Sequence, residues 1–585
     1  MTSIHLILRY ITSANFPVFN HIRPRFNLIR LCRSYSNEAR LFDVNNRINK
    51  RTRQKLWNAV LCGVLAIGSI SIGNPAAQAA AQQVFQDTTS SYAKDAIAHL
   101  VKAGIAAGTS ENTFEPKKAV TRAEFATFAV RLLGLKPVKN NINPYNDVSI
   151  NAWYYGNVAA MTNLSILEGK SQGVFQPNAS ITREEAAALL VRMLKQSSKS
   201  TNLLSSTYND AGGISDWARP YVQTVYQLGL MRGSDGKFRP HDQVTREEAA
   251  VMLDAILQKK TWSDQLKSED QLGIQLGWQY NSSTAEFKKQ IEQSEANTLV
   301  PRWFFLNSSM KITDLTDTSL LSWASATDRQ VWPLLGNRSN PDLTHQMLSS
   351  SANRAAVISQ VTSYVKTYKL DGINVDFENV LPADRAGMTA FITSLTTSLH
   401  ALGAVVSVDV SPDLGTDWTD AFDYAQLGAV SDYMVLMGYE EHWNGDPQAG
   451  SVASLPWLEK SLDTMLAEVV RAKTILALPL YTRDWSSVNP AASSWDITLA
   501  EQGTRARASG SVRRWDASLV QYVIGYNSNG TPRYIWAEDS RSLSAKVIMS
   551  EERNIAGLAY WYMGGETADV WNAISNASRF ESYIF

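Results

Sequence analysis

The segment KLDGINVDFENV (Lys369–Val380) combines two features that conflict in a soluble protein. Its apolar residues are typical of a buried strand: Leu370, Ile373, Val375 and Phe377. The same segment carries three acids, Asp371, Asp376 and Glu378, together with Asn374. Because an unpaired charge is costly to bury, these acids predict either a paired structural cluster or a functional site.

Side chains alternate along a strand, which separates this segment into two faces. We expect the face with Ile373, Val375 and Phe377 to pack against surrounding helices. The opposite face carries the remaining polar side chains: Asn374, Asp376 and Glu378. In a barrel, that second face points into the interior.

Seven further β-rich runs accompany this strand, and helix-like stretches separate most of them. The eight runs begin at Gly273, Thr298, Gln330, Leu370, Ala404, Asp432, Thr474 and Ile555. Alternating strands and helices predict a parallel sheet, and eight such units over residues 272–585 predict an α/β fold, a TIM-type (β/α)8 barrel. A hairpin insertion is predicted over residues 520–536, with its turn at Asn529-Gly530.

TIM-type barrels place their active sites at the carboxyl ends of the strands, where Asp376 and Glu378 are expected. The two residues lie about 7 Å apart along the strand, so each carboxylate is expected to raise the pKa of the other. A raised pKa keeps Glu378 protonated and able to act as a general acid. The alternative is a buried salt-bridge cluster that only supports the barrel.

Composition excludes several classes of function. The 585 residues contain 55 Lys and Arg and 55 Asp and Glu, so no global field attracts nucleic acid or an anionic membrane. The two cysteines, Cys32 and Cys62, precede the cleavage site proposed below, and the seven histidines show no metal-ligand spacing. We therefore expect no disulfide, metal or other cofactor.

The first 79 residues resemble targeting sequence. A basic head near Lys50, an apolar run over residues 60–72 and Ala77-Gln78-Ala79 predict a secretory signal cleaved near Ala79. A membrane anchor is the alternative, but the run is short for a membrane span. Residues 1–37 are rich in arginine and lack acids, which indicates either an organellar presequence or a sequence extended beyond the true start.

Three repeats precede the barrel, at residues 85–135, 145–194 and 208–257. Each predicts a helix, a glycine-containing turn, an F-x-P loop and a second helix, so this region is expected to be all-α. The second helices open on T-R-A-E or T-R-E-E, a capping-box pattern. The capping pairs are Thr121 and Glu124, Thr182 and Glu185, and Thr245 and Glu248.

An arginine follows each capping threonine, at Arg122, Arg183 and Arg246. A cation at the positive end of a helix is unfavourable by roughly a few tenths of a kcal/mol, which indicates another use. Beside free backbone N–H donors, each arginine is suited to hold an anion in bidentate fashion. A solvated surface arginine is the alternative at each position.

The F/Y-x-D openings, glycine turns, F-x-P loops and T-R-A/E-E motifs together resemble S-layer homology domains, from residue 85 to about residue 257. The resemblance implies a pseudo-trimer that anchors bacterial surface proteins to a secondary cell-wall polymer, which is often pyruvylated. It assigns polymer binding to Arg122, Arg183, Arg246, Asp87, Asp147 and Asp210. The third repeat departs from the pattern by the insertion DAGGIS before Asp216.

The barrel unit resembles glycoside hydrolase family 18 through the D-G-x-x-x-D-x-E motif, with MGYEEHW (from Met437), LYTRDW (from Leu480) and Trp561 matching later strands. This family works by substrate-assisted catalysis. The resemblance implies that Glu378 protonates the glycosidic oxygen while the acetamido group of the substrate attacks the anomeric carbon. Asp376 then orients the acetamido N–H, Tyr439 binds its carbonyl oxygen and Trp561 forms the floor of the −1 sugar site.

Further substrate-binding positions are expected at Asp371, Asn374, Glu440, His442, Trp443 and Arg483. Asn374 replaces an inner aspartate of the family and Glu440 replaces the aspartate after Tyr439, so we expect an altered pH profile. His442 and Trp443 either line the groove or pack within their loop.

We therefore expect a secreted hydrolase, bound to the bacterial cell wall or S-layer, that cuts β-1,4 bonds in peptidoglycan. Its partners are the wall polymer and the glycan substrate, without nucleic acid and without a membrane after signal cleavage. Two alternatives remain: a chitinase, and a catalytically weak surface protein whose barrel only binds glycan.

Overall fold

The computed structural model describes residues 85–197, 204–268, 273–415, 419–486 and 493–585. The predicted signal sequence with its cleavage site near Ala79, and both cysteines, lie outside the described residues. Within these ranges, no helix is both long and apolar enough to cross a bilayer.

The three repeats are helical, as predicted. Their helices, with one that follows the third repeat, are α1 (Lys94–Lys102), α2 (Arg122–Leu132), α3 (Tyr155–Asn163), α4 (Arg183–Met193), α5 (Leu204–Thr207), α6 (Arg219–Gln227), α7 (Arg246–Gln258) and α8 (Lys260–Leu266). Short 3-10 turns occur at Gln86–Thr88 and Ala211–Gly213. The predicted capping box is present at the start of α2, α4 and α7. The threonine side chain accepts the backbone N–H of the glutamate, and the glutamate side chain accepts the backbone N–H of the threonine.

The repeats pack in a closed cycle. Helix α2 of the first repeat packs on α3 of the second, α4 of the second packs on α6 of the third, and α7 of the third packs on α1 of the first. Buried phenylalanines of the three F-x-P loops, Phe114, Phe175 and Phe238, lie in the core between them. This cycle is the pseudo-trimer that the resemblance implied.

The C-terminal unit contains the predicted barrel strands. Its main sheet consists of β1 (Ile274–Trp278), β2 (Thr298–Val300), β3 (Phe304–Leu306), β4 (Ile312–Asp314), β5 (Gln330–Val331), β6 (Leu334–Gly336), β7 (Gly372–Asp376), β8 (Val405–Val410), β9 (Tyr433–Met437), β10 (Thr474–Pro479) and β16 (Gly557–Trp561). Strands β11 to β15 form a second sheet, described below.

The eight predicted strands form a ring. The hydrogen-bonded order is β4-β3-β6-β7-β8-β9-β10-β16-β1-β2-β5, and only the β3–β4 pair is antiparallel. The second and third predicted strands are each split in two, so β2 pairs with β5 and β3 pairs with β6. Because β5 and β6 are consecutive in the chain, the ring closes as a TIM-type barrel.

Helices surround this ring. They are α9 (Thr284–Glu292), α10 (Thr318–Ala326), α11 (Pro341–Leu348), α12 (Ser351–Tyr368), α13 (Arg385–His400), α14 (Tyr424–Val430), α15 (Leu455–Leu466), α17 (Ser540–Glu552) and α18 (Asp569–Ser582), whereas α16 (Leu499–Ala506) packs on the second sheet. Two 3-10 turns lie at Pro382–Asp384 and Arg471–Lys473. Ile373, Val375 and Phe377 of the opening segment are buried in the same core as apolar residues of α12 and α13, which confirms the predicted alternation.

The predicted hairpin is part of an antiparallel insertion of five strands. They are β11 (Tyr481–Ser486), β12 (Ser493–Thr498), β13 (Val512–Asp516), β14 (Gln521–Ser528) and β15 (Thr531–Ala537), in the order β12-β11-β15-β14-β13. Asn529 and Gly530 turn between β14 and β15 with φ of 51° and 83°, values that suit an Asn-Gly turn. The hairpin prediction is confirmed, whereas LYTRDW lies in this sheet and not in the barrel.

The linker after the first repeat, residues 136–144, docks on the barrel. Asn576 of α18 donates to the Lys136 carbonyl (2.7 Å) and accepts from the Lys136 N–H (2.7 Å). Asn141 donates to the Leu499 carbonyl at 2.7 Å. These contacts join repeats and barrel without a free spacer at this point.

Candidate active site

Five side chains from four strands line one cavity of about 320 Å³, which we call the central cavity. They are Asp376 at the end of β7, Glu378 just beyond it, Asp409 on β8, Tyr439 after β9 and Trp561 at the end of β16. Parallel strands bring their carboxyl ends to one edge of the barrel, so residues remote in sequence converge there. The predicted catalytic residues Asp376, Glu378 and Tyr439 are thus brought together.

Glu378 has a fixed backbone and an accessible carboxylate. The buried Asn337 donates to the Glu378 carbonyl (2.7 Å) and accepts from the Glu378 N–H (3.1 Å). The Ser339 hydroxyl donates to a carboxylate oxygen of Glu378. Glu378 is exposed and lines both the central cavity and the adjacent one, so its carboxyl group can meet a bond that spans the two.

Asn374 is completely buried below the central cavity and does not line it. Its Oδ1 accepts from the Trp278 indole N–H (3.1 Å), and its Nδ2 donates to Ser407 (3.0 Å) and to Asp409 Oδ1 (2.6 Å). The prediction that Asn374 binds substrate is therefore wrong, because every polar atom of its amide is engaged by the protein. Asn374 instead positions Asp409 below the substrate space.

Three groups of the central cavity, Asp376, Asp409 and Tyr439, have raised pKa values. Burial, with help from the Glu378 carboxylate, raises the pKa of Asp376 to about 7, and Arg302 opposes this shift. Burial and the neighbouring Asp376 raise the pKa of Asp409 well above its usual value. Burial and the surrounding carboxylates also raise the pKa of Tyr439, so its hydroxyl remains a donor at neutral pH.

Glu440 forms one wall of the central cavity and is held by two groups behind it. Arg483 donates from Nη2 to both carboxylate oxygens at 2.7 Å, and the Tyr481 hydroxyl donates to one of them. Nη1 of Arg483 pairs with Asp496 at 2.6 Å, and Asp496 lines the cavity too. Arg483 itself is only 5% exposed and lines neither cavity, so the prediction that it contacts substrate is wrong.

A second cavity of about 630 Å³, which we call the tryptophan cavity, adjoins Glu378 on the side of β7 to β9. Trp443, 52% exposed, and Trp457 contribute to its largely apolar lining, a surface that suits a sugar ring. His442 does not line it. Its Nδ1 lies 2.9 Å from Asp446 and its ring packs on Gly450, which supports the loop-packing alternative for His442, while its substrate contact stays a prediction.

Asp371 lies at the wrong end of the barrel for substrate binding. It precedes β7, and its carboxylate accepts from the Val331 N–H at 3.0 Å. Five residues of strand separate it from Asp376, a distance of about 16 Å. The prediction that Asp371 contacts substrate is therefore corrected: it caps a backbone group at the amino end.

Aromatic rings form the floor of the central cavity around Trp561. Trp278 packs edge-on against Trp561 at 5.9 Å between ring centroids, and Tyr280 lies 5.2 Å from it. Trp561 lines the central cavity together with Asp376 and Tyr439. This is the arrangement expected of a sugar-ring floor.

The three repeat arginines contact the neighbouring repeat, and the backbone N–H groups beside them, which we expected to be free, are occupied. Each guanidinium donates from Nε to the carbonyl of the next repeat's F-x-P phenylalanine, and pairs through Nη1 with the next capping glutamate. The bonds are Arg122 to Phe175 (3.0 Å), Arg183 to Phe238 (2.9 Å) and Arg246 to Phe114 (2.7 Å). The ion pairs are Arg122–Glu185 (3.4 Å), Arg183–Glu248 (3.0 Å) and Arg246–Glu124 (3.2 Å).

The N–H groups that start α2, α4 and α7 are also occupied. Those of Arg122, Arg183 and Arg246 donate to carbonyls of the next repeat at 2.9–3.0 Å. The opening aspartates hold the same loops: Asp87, Asp147 and Asp210 accept the N–H of the F-x-P phenylalanine at 2.8–2.9 Å. Asp210 does so despite the DAGGIS insertion, so the three repeats are equivalent here. Polymer binding by these six residues stays a prediction.

Several residues of the site were not predicted. Asp409 follows the same alternation as Asp376, since Ser407 and Asp409 in AVVSVDVSP share the inward face, and this pattern was available in the sequence. Asn337, Ser339 and Asp496 lie after β6 and in the insertion, where no local pattern marks them.

Comparison with known proteins identifies both parts of the chain. Residues 273–566 match the model of glycosyl hydrolases family 18, and residues 84–126, 144–187 and 207–250 match the S-layer homology domain. The uncharacterized glycosylase YvbX of Bacillus subtilis is 25% identical over 298 residues, which cover 48% of this chain and 85% of that protein. A cortical fragment-lytic enzyme of Bacillus anthracis is 26% identical over 242 residues, which cover 40% of this chain and 55% of that enzyme.

A crystallised C-terminal domain of a candidate chitinase from Desulfitobacterium hafniense shares the barrel fold, at 22% identity and a TM-score of 0.50, over 54% of this chain and all of that domain. The S-layer homology domains associate the chain with the cell surface or cell wall. Since the family model spans half of the sequence, the chain belongs to the glycosyl hydrolases of family 18 and is a glycoside hydrolase.

Proposed function

We propose that this hydrolase cleaves β-1,4 bonds next to N-acetylglucosamine in peptidoglycan, with retention of configuration. The observation that carries the proposal is the placement of Glu378: its carboxyl group is accessible between two sugar-sized cavities, directly beyond Asp376. A glycosidic bond that spans the two cavities would present its oxygen to Glu378.

Glu378 donates its proton to that oxygen, and the leaving sugar departs towards the tryptophan cavity. The 2-acetamido oxygen of the sugar above Trp561 attacks the anomeric carbon, as in substrate-assisted hydrolysis. Asp376 accepts the acetamido N–H, and the Tyr439 hydroxyl donates to the acetamido oxygen. Glu378, now ionised, then accepts a proton from the water that opens the cyclic intermediate, which restores the starting configuration.

The raised pKa values suit these roles. Asp376, with a pKa of about 7, is partly ionised near neutral pH, so its carboxylate can accept the acetamido N–H as that group becomes cationic. Asp409 below it is linked to Asn374 at 2.6 Å, so the inner acid of the family motif has a counterpart on the neighbouring strand. Trp443 is proposed to contact the leaving sugar, and Glu440 to bind hydroxyl groups of the −1 sugar.

Peptidoglycan is favoured over chitin by two considerations. The Bacillus anthracis relative is described as a cortical fragment-lytic enzyme. In addition, a barrel joined to wall-binding repeats meets wall glycan at a high effective concentration, without any new contact at the active site.

The test is digestion of purified sacculi and of chitin oligomers side by side, with mass spectrometry of the products. We expect reducing N-acetylglucosamine ends from sacculi, and a loss of about 10³-fold or more in Glu378→Gln. Glu552→Gln, at an exposed position on α17, serves as the matched control. Product from chitin alone would select the chitinase alternative, and equal release by wild type and Glu378→Gln would refute the role of Glu378. Glycan binding without turnover would select the binding-protein alternative.

We also propose that the protein is secreted and that its repeats bind a pyruvylated wall polymer. Because the repeat arginines hold the fold, their substitution is a poor test. Wall fragments should pellet the protein, and mild acid treatment that removes pyruvyl ketals should abolish pelleting. Unchanged pelleting after this treatment would refute recognition of the pyruvyl group.

A further inference from the structure

Two arginines stand at a third cavity of about 660 Å³, which we call the arginine cavity, on the side of β1 to β3. Arg302 lies between β2 and β3, and Arg338 follows β6. This cavity lies across the barrel mouth from the tryptophan cavity, which is built on the loops after β7 to β9. The three cavities therefore follow one another across the mouth of the barrel, with Glu378 and Trp561 between the outer two.

Neither arginine forms a salt bridge with an acid among the residues that the structure describes, although the charge of Arg302 acts on Asp376 from beyond salt-bridge distance. Arg302 lies over the rings of Tyr280 (5.1 Å), Phe305 (5.7 Å) and Trp561 (6.0 Å), and its Nε is buried without a hydrogen-bond partner. The guanidinium of Arg338 lies 4.0 Å over the Phe305 ring. Stacking of this kind leaves the in-plane N–H groups of a guanidinium available to an oxygen ligand.

Two features of the surroundings distinguish Arg302 and Arg338: the acid that lines their cavity is already engaged, and the turn that carries Arg338 has an unusual backbone. The one acid that lines the arginine cavity, Asp317, already accepts the Ser319 N–H at 2.9 Å as the cap of α10. Arg338 and Ser339 both have positive φ, 55° and 53°, which non-glycine residues rarely adopt. That turn places Arg338 at the cavity and Ser339 on Glu378, and backbone strain of this kind is common at functional sites.

We propose that Arg302 and Arg338 form a subsite for a carboxylate carried by the glycan strand, on the side of the −1 sugar away from the leaving group. This inference rests on the proposed function and specifies its substrate as an acidic N-acetylated glycan. In peptidoglycan the carboxylate belongs either to a free lactyl ether or to an attached peptide; chitin carries neither. Two cations that form no salt bridge within the described residues fit such a group, whereas neutral sugars need no charge there.

The test compares three substrates of equal sugar count: chitin oligomers, glycan strands with free lactyl groups, and strands that retain their peptides. Arg302→Gln and Arg338→Gln should each lower the ratio of kcat/KM on acidic strands to that on chitin oligomers at least tenfold, mainly through KM, since each removes a charge-assisted hydrogen bond that only the acidic strands can form. Arg329→Gln, whose arginine stacks on Trp323 at 5.2 Å elsewhere, is the matched control and should leave the ratio unchanged.

The two acidic substrates identify the source of the carboxylate, since only the one that carries it should respond to the substitutions. Equal losses on acidic and neutral substrates would overturn the subsite, because Arg302 would then act through the charge of Asp376. An unchanged ratio in both variants would overturn it as well.

Binding of intact strands to Glu378→Gln, with and without each arginine substitution, separates this inference from the proposed function. Arginine-dependent binding of strands that the wild type does not cleave would refute the proposed function and keep the subsite. Cleavage of strands that does not depend on either arginine would refute the subsite and keep the proposed function.

Discussion

The repeats and the barrel both place charged residues where simple rules disfavour them, yet they use these charges differently. In the repeats, Arg246 is 2% exposed and meets Phe114, Ala107 and Glu124 of the first repeat. In the barrel, Glu378 has a fixed backbone and a carboxyl group that faces open space. An unexpected charge in a sequence therefore indicates an unusual partner, and only the structure shows whether that partner is the protein or a ligand.

The physical difference lies in which partner groups would stay buried and unpaired after the charged side chain is removed. Removal of a repeat arginine leaves buried carbonyls and a carboxylate unpaired, which destabilises the fold. Removal of the Glu378 carboxyl group leaves no buried group without its partner, so the loss falls on catalysis. Each prediction below tests one side of this contrast.

The largest effect on stability is expected for Arg246→Met, about 3 kcal/mol or more, because it leaves Glu124 and two carbonyls without their donor. Arg219→Met is the control, since Arg219 pairs with an almost fully exposed Asp216 and should cost about 0.5 kcal/mol or less. Urea denaturation gives both free energies of unfolding. If Arg246→Met were as mild as its control, the view of the repeat arginines as structural ties would be wrong.

A smaller, pH-dependent effect is expected for Asp376. In the folded protein this carboxyl keeps its proton up to about pH 7, whereas an unfolded chain releases it near pH 4. Between these values the folded state holds more protons, so the free energy of unfolding falls as pH rises. Asn cannot ionise, and Asp376→Asn should therefore stabilise the protein at pH 8 by at least about 2 kcal/mol while changing little at pH 4.

Thermal unfolding of wild type and Asp376→Asn at both pH values checks this prediction. Asp342→Asn, at an exposed position on α11, is the control. A stabilisation of equal size at pH 4 and pH 8 would mean that Asp376 is not the titrating group.

Local rules recovered much of this structure from the sequence. The alternation of side chains along the strand predicted the inward face of β7, and the T-R-A/E-E pattern predicted three capping boxes. Both features depend only on residues within a few positions of one another. The same rule applied to AVVSVDVSP would have found Asp409. The ties between repeats could not be found this way, since Arg246 and Phe114 are 132 residues apart and meet only when the cycle closes.

Motif membership was the weakest guide within the site. Asp371 and Glu378 belong to one motif, yet a strand of five residues separates the two ends of the barrel. Arg483 follows a barrel strand, but its guanidinium donates to Glu440 on the side away from the cavity. Sequence patterns indicate that a residue is unusual; burial and hydrogen-bond partners decide what it contacts.

The smallest effect is expected at Asp371, and it tests this distinction directly. Asp371→Ala removes the acceptor of the Val331 N–H and should cost about 1 kcal/mol of stability. Because the residue lies at the amino end of the barrel, kcat/KM should stay within about twofold of wild type. A tenfold loss of kcat/KM in a protein of normal stability would show that the amino end of β7 is coupled to catalysis, and the separation between structural and catalytic charges would then fail inside a single strand.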